Sequence, residues 1–172
     1  MESFRIFELR KSTRINPKDG EPSTYFLMRG LNWANVIALT EKNDVLLIRQ
    51  YRHGIDDYTI EIPGGCVEKD DCDPGLSAKR ELEEETGYSS DEFTHLGTVQ
   101  ANPAMHSMLA YTYLARNIKK IGEQHLDAGE DIEVLFKPLD EVLKLIKDGE
   151  IKHAIIVAAF GHLLLKRNEL RL

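Results

Sequence analysis

The sequence predicts an α/β fold, a mixed sheet sandwiched between helices, with an N-terminal antiparallel hairpin or small sheet ahead of it. Two observations carry this expectation. Short runs rich in Val, Ile and Leu recur along the chain and are separated by turn clusters. Segments of strong helix formers lie between some of them, so strands and helices alternate while other strands stay adjacent in sequence. A length of 172 residues suits one domain with a core that needs no staples.

Phe4 to Arg14 and Thr24 to Arg29 are read as strands around the turn cluster INPKDGEPS. Asn35 to Thr40 and Val45 to Tyr51 are apolar runs parted by EKND, and both read as buried strands. Tyr58 to Ile62 alternates weakly and runs into Pro63-Gly64-Gly65, which is read as a loop. The clearest element is a helix over residues 74–86. Asp73 serves as its N-cap, Pro74 fits the first turn, and Gly87 supplies the left-handed stop. Further strands are expected at Glu92 to Val99, Ala110 to Ala115 and Ile132 to Lys137, the last stopped by Pro138. Two helices close the chain, Leu139 to Lys147 and Ile151 to Lys166. The second is mostly apolar and is expected to pack on a sheet.

Composition narrows the function. The net charge is −7, which argues against neutralising many nucleic-acid phosphates. No apolar run is long enough to span a bilayer, and the first residues lack the apolar stretch of a secretory signal, so neither nucleic acid nor membrane is expected as a partner. Cys66 and Cys72 complete no zinc pattern and are read as free thiols in a reducing cytosol, which makes the expected location cytoplasmic. Acidic residues concentrate between Gly64 and Tyr88, eight against three basic ones. Helical spacing puts Glu81, Glu84 and Glu85 on one face, with Glu83 pointing elsewhere and Ala78 and Leu82 turned to the core. Three like charges repel, and at the C-terminal half of a helix the macrodipole disfavours them too. Either the face is simply solvated, or a hard cation such as Mg²⁺ compensates the charge.

The motif around this helix reads Gly65, five residues, Asp71, eight residues, then Arg80-Glu81-Leu82-Glu83-Glu84-Glu85-Thr86-Gly87-Tyr88. It resembles the Nudix box, G-x5-E-x7-R-E-U-x-E-E-x-G-U with U apolar. It departs in having Asp71 for the usual Glu and one extra residue, placed at Cys72-Asp73-Pro74 before the helix. The resemblance implies a Nudix-type α/β/α sandwich over residues 32–172, with residues 1–31 as a β extension and possible dimerisation arm. It further implies Mg²⁺ or Mn²⁺ held by Glu81, Glu85, Glu84, the Gly64 carbonyl and Glu130, and catalytic roles for Glu130, Glu85 and Arg80.

Four further features resemble the branch of ADP-ribose pyrophosphatases and nucleoside diphosphate sugar hydrolases. These are Gln50-Tyr51-Arg52, the Glu61-Ile62-Pro63-Gly64-Gly65 entry, Pro103 placed 16 residues after Gly87, and Gly129-Glu130-Asp131-Ile132-Glu133-Val134. They imply substrate contacts from Arg52, Glu61 and Pro103, and hydrolysis of ADP-ribose or a sugar nucleotide such as GDP-mannose to a nucleoside monophosphate and a sugar phosphate. Plainer readings stand beside these. Arg52 could pair with Asp56 or Asp57, Pro103 could merely end a strand, and Glu133, alternating with Ile132 and Val134, faces away from the core. Ala128 stands where some relatives carry the general base, so the base is open. Trp33, Phe4, Phe7, Tyr25 and Phe26 are read chiefly as hairpin packing; exchange of the N-terminal sheet in a homodimer is the other reading. His153 and His162 are read as ordinary helix residues. A nucleoside triphosphate pyrophosphohydrolase and a non-catalytic sensing module of the same fold are the alternatives.

Overall fold

The computed structural model describes residues 2–3, 7–68 and 70–170. An antiparallel three-stranded sheet comes first: β1 (Glu2–Ser3), β2 (Phe7–Ile15) and β3 (Pro22–Gly30). Between β2 and β3 the turn is fastened by Asn16 and Asp19 side chains that accept the Lys18 and Glu21 N–H groups. The expectation of a strand from Phe4 is met from Phe7 onward; Phe4 itself lies outside the described residues.

The main sheet holds β4 (Trp33–Leu39), β5 (Asp44–Arg52), β6 (Asp57–Glu61), β7 (Gly64–Cys66), β9 (Glu92–Gln100), β10 (Leu109–Arg116) and β12 (Ile132–Pro138). Its order is β12-β5-β4-β10-β9, with β6 added to β5 and β7 to β4. The β4–β10 pair is parallel and the others are antiparallel, so the sheet is mixed. A short ribbon joins β8 (Tyr88–Ser89) to β11 (Lys119–Lys120).

Helices cover both faces. On one face α1 (Pro74–Thr86) buries Ala78 and Leu82 against Ala34, Val36, Ala38, Leu46 and Ile48. On the other, α2 (Leu139–Lys147) and α3 (Ala154–Leu165) bury Val142, Ile156, Phe160 and Leu163 against Ile37, Leu39, Val45 and Leu47. Alternate residues of β4 and β5 thus feed two cores, as the strand period of two requires. This is the α/β/α sandwich expected, with the N-terminal sheet separate from it. A last turn, α4 (Arg167–Leu170), follows α3.

The ends of α1 fall where the sequence put them. Asp73 Oδ1 accepts the Gly75 N–H at 2.9 Å, and Gly87 closes the helix at φ +73°. Two expectations need correction. Gly64 and Gly65 form no loop but a strand paired to Asn35 and Ala34. Glycine permits this close approach, since a Cβ on Gly64 would lie 2.5 Å from the Ala34 carbonyl oxygen. The final helix starts at Ala154 rather than Ile151, because Ile151 N–H bonds back to the Leu145 carbonyl and His153 is extended, with ψ 117°. No helix among the described residues is long and apolar enough to cross a membrane.

Candidate active site

Between the glycine strand β7 and helix α1 opens a cavity of about 490 Å³. Its wall includes Glu81, Glu84 and Glu85 from α1, Arg52 and Gln50 from β5, Trp33 from β4, and Glu130 from the loop before β12. The helix spacing thus delivers the expected carboxylate face, and Glu83 does point elsewhere, accepting from the Ser89 hydroxyl at 2.6 Å.

Burial and charge shape the carboxylates. Glu85 is only 4% exposed and accepts the Gly64 N–H at 2.9 Å. Burial raises its pKa well above the ordinary value, opposed by that N–H and reinforced by Glu81 and Glu130. The Glu81 carboxyl is pushed up to about 7, first by burial, with Arg80 pulling down and Glu84 pushing up. Arg80 Nη1 spans Glu81 at 3.0 Å and Glu84 at 2.9 Å, so it orients both. Its other amino group reaches the Cys66 carbonyl at 3.5 Å. Asp71 accepts from the Ser77 hydroxyl and lies 3.9 Å from Arg80, so it ties the loop to the helix.

Among the described residues no three His, Cys, Asp or Glu side chains already form a metal cage. Yet the donor set suits a hard divalent cation. It is all oxygen, and charging Glu81 and Glu85 together in this buried corner is unfavourable without a compensating cation.

Across the cavity Arg52 is held by a partner the sequence reading did not choose. Its guanidinium pairs with neither the Asp56 nor the Asp57 carboxylate: Arg52 Nε and Nη2 make a two-pronged bridge to Glu61, at 2.7 and 2.8 Å. Glu61 is 2% exposed and does not line the cavity, so its place is behind Arg52. Burial alone would raise the Glu61 pKa, but Arg52, then His153 and Thr59, hold it well below the usual carboxylate range. Arg52 also sits over Trp33, 5.9 Å from the ring centroid.

The remaining expected residues separate. Glu130 follows Gly129, at φ +101°, and accepts the Asp127 N–H at 2.9 Å. Glu133 is exposed and pairs with Arg49 at 3.5 Å, away from the cavity. Pro103 lies in an exposed turn outside the wall; that turn is fastened to β3 through Met28 N–H and the Met105 carbonyl at 2.9 Å. Trp33 belongs to the cavity rather than to the hairpin, whereas Phe26 is 66% exposed on β3. Both cysteines are free.

Sequence reasoning missed three residues. His125 and Asp127 line the cavity from a loop without a recognisable pattern. That loop is stitched to the end of α1: Ile121 and Gly122 N–H meet the Gly87 carbonyl, His125 N–H meets the Glu84 carbonyl at 2.7 Å, and the Gln124 amide meets the Glu85 carbonyl at 2.6 Å. His153, read as an ordinary helix residue, instead heads α3 and places Nδ1 3.0 Å from Glu61 Oε2. This contact joins residues 92 apart in the chain, which no local pattern reveals.

Comparison with known proteins agrees with the geometry. The NUDIX domain profile matches residues 29–160. The methanol dehydrogenase activator of Bacillus methanolicus is 33% identical, the alignment covering 95% of this chain and 88% of that protein. The ADP-ribose pyrophosphatase of Bacillus subtilis is 32% identical over 76% of this chain and 71% of its own length. A GDP-mannose pyrophosphatase of Escherichia coli is 32% identical, covering 87% and 83% respectively. A crystal structure of an ADP compounds hydrolase superposes with a TM-score of 0.85 over 99% of this chain and 91% of that one, at 20% identity, which bears on fold alone. On the carboxylate helix, the glycine strand and these matches together, the chain belongs to the Nudix family.

Proposed function

We propose that this protein hydrolyses the diphosphate linkage of ADP-ribose or a nucleoside diphosphate sugar such as GDP-mannose, with Mg²⁺ or Mn²⁺, yielding a nucleoside monophosphate and a sugar phosphate. One observation carries the reading: Glu81, Glu84, Glu85 and Glu130, among six carboxylates, share the wall of a single cavity with Arg52, whose Nε and Nη2 face Glu61. The names of two relatives, an ADP-ribose and a GDP-mannose pyrophosphatase, support the substrate class.

Glu81, Glu84, Glu85 and Glu130, with the Gly64 carbonyl, would hold the cation. Once bound, it neutralises diphosphate charge and lowers the pKa of water. The chain's own groups do the rest. Arg52 spends Nε and one Nη2 hydrogen on Glu61, which leaves its Nη1 edge for a phosphate oxygen. Arg80 keeps Glu81 and Glu84 turned to the cavity. Glu130 has one oxygen engaged by the Asp127 N–H and the other open to accept a proton from the attacking water. Trp33 offers a ring face for stacking. In this reading residues 1–31 form an arm that completes a homodimer, residues 32–172 form the hydrolase, and the free thiols Cys66 and Cys72 suit the cytoplasm.

The test is Mg²⁺-dependent release of nucleoside monophosphate from ADP-ribose and GDP-mannose, side by side. Cleavage of either by the wild type, falling by a factor of 100 or more (on the order of one lost electrostatic contact) in Glu85→Gln, is the expected result. Pyrophosphate release from nucleoside triphosphates alone would overturn the substrate class. Inertness on every nucleotide would overturn the enzyme.

A further inference from the structure

We infer that His153 is a positioning residue for Arg52, acting through Glu61 across 92 residues of sequence. The inference rests on the hydrolase reading above and extends it to a residue outside the cavity wall.

The Glu61 carboxylate is saturated. A carboxylate has about four lone-pair sites. Glu61 fills two on each oxygen: Oε1 accepts from Arg52 Nε at 2.7 Å and from the Thr59 hydroxyl at 2.5 Å. Oε2 accepts from Arg52 Nη2 at 2.8 Å and lies 3.0 Å from His153 Nδ1. An ionised carboxylate only accepts, so Nδ1 carries the proton and donates. At 2% exposure Glu61 itself meets almost no solvent, so protein donors fill its sites. Three elements therefore converge on it: β5 through Arg52, β6 through Thr59 and the head of α3 through His153.

Each donor constrains a different freedom of the Glu61 side chain. Thr59 lies on the same strand face, two residues away, and holds only Oε1. His153 is the partner that Oε2 has besides Arg52 itself, so it holds the carboxylate's rotation from outside the ion pair. That rotation sets the plane of the Arg52 fork, and with it the direction of the Nη1 edge offered to a phosphate. Without His153 the carboxylate turns about its last bond and the fork follows. Substrate binding weakens, while the carboxylate helix is untouched.

His153→Leu keeps side-chain bulk without a donor, and His153→Asn restores one, with Nδ2 near the position of Nδ1. The expected result for His153→Leu is a rise in KM of about tenfold, one contact's worth, with kcat within about twofold. His153→Asn should recover most of it. In an Arg52→Ala background the Leu variant should add nothing further. Effects that multiply with Arg52→Ala, or a fall in kcat tracking a fall in Tm, would reduce His153 to a packing residue and overturn the inference. The Arg52 Nε–H resonance gives a reading independent of turnover. It should be slow to exchange in the wild type and fast in His153→Leu; equal exchange in both overturns the inference. Failure of the wild type on both nucleotide sugars would sink the hydrolase reading instead, and the resonance would still decide the role of His153.

Discussion

Two adjacent glycines make the sharpest test of how this site is built. Gly64 and Gly65 lie on the same short strand, yet an added methyl group meets different neighbours. On Gly64 it would sit 2.5 Å from the Ala34 carbonyl oxygen and 2.7 Å from Asn35 Cα, both backbone atoms of the central strand. On Gly65 it would sit 2.4 Å from the Glu81 carboxyl carbon, the free end of a side chain. Backbone in a packed sheet cannot move away cheaply, so Gly64→Ala is expected to cost about 1–3 kcal/mol. In a chain of this length that lowers Tm by about 2–12 °C. Relief at Gly65→Ala needs only a turn of Glu81, at about 0.5–1.5 kcal/mol. That turn carries a carboxylate out of the cavity. Affinity for Mn²⁺, followed by calorimetric titration, should fall by about 10- to 100-fold, as when a ligand's support is lost. Gly64→Ala should thus lower Tm the more, whereas Gly65→Ala should weaken metal binding at a smaller loss of Tm. Matched Tm losses together with wild-type Mn²⁺ affinity in Gly65→Ala would refute the reasoning.

Other outcomes follow from the same geometry. Leu82 is fully buried between α1 and the sheet, so Leu82→Ala should cost about 2–5 kcal/mol by chemical denaturation. Glu81, pushed up to about 7 from 4.5, binds a proton in the folded chain that the unfolded chain has released. Stability without divalent cation should therefore fall as pH rises from 4.5 to about 7, and added Mg²⁺ should reverse the slope. Glu61, held low, acts in the opposite sense and below that window, whereas Glu85, raised by burial, acts in the same sense as Glu81, so Glu81→Gln should lessen the slope without abolishing it; a Tm that climbs through the window without cation refutes the assignment.

What the sequence made legible is what local chemistry decides. Helix α1 was readable to the residue because Asp73, Pro74 and Gly87 act within one turn of their own backbone. The carboxylate face followed from helical spacing, and the strands from apolar runs. What stayed hidden depends on partners distant in the chain. Pro63-Gly64-Gly65 carries every mark of a turn, and pairing with Ala34 and Asn35 makes its two glycines a strand. Glu61 looked like a group for substrate because nothing nearby in sequence shows that Arg52, Thr59 and His153 enclose it. His125 and Asp127 sit in a segment without period or motif, and their place comes from hydrogen bonds to the carbonyls at the end of α1.

Those last bonds have a consequence for how such a cavity diversifies. Residues 121–125 are moored to α1 by main-chain carbonyls and one amide, and β12 is locked to β5 from Ile132 onward. Between the two moorings the span from Leu126 to Asp131 bears Asp127 and Glu130 and is almost wholly exposed. Changes of length or side chain around Glu130 would reshape the mouth of the cavity, while Glu81, Glu84 and Glu85, held on α1, keep their geometry. In such a layout the accommodation of the leaving group can change at five of these six positions, with Glu130 and the helix carboxylates kept for the chemistry.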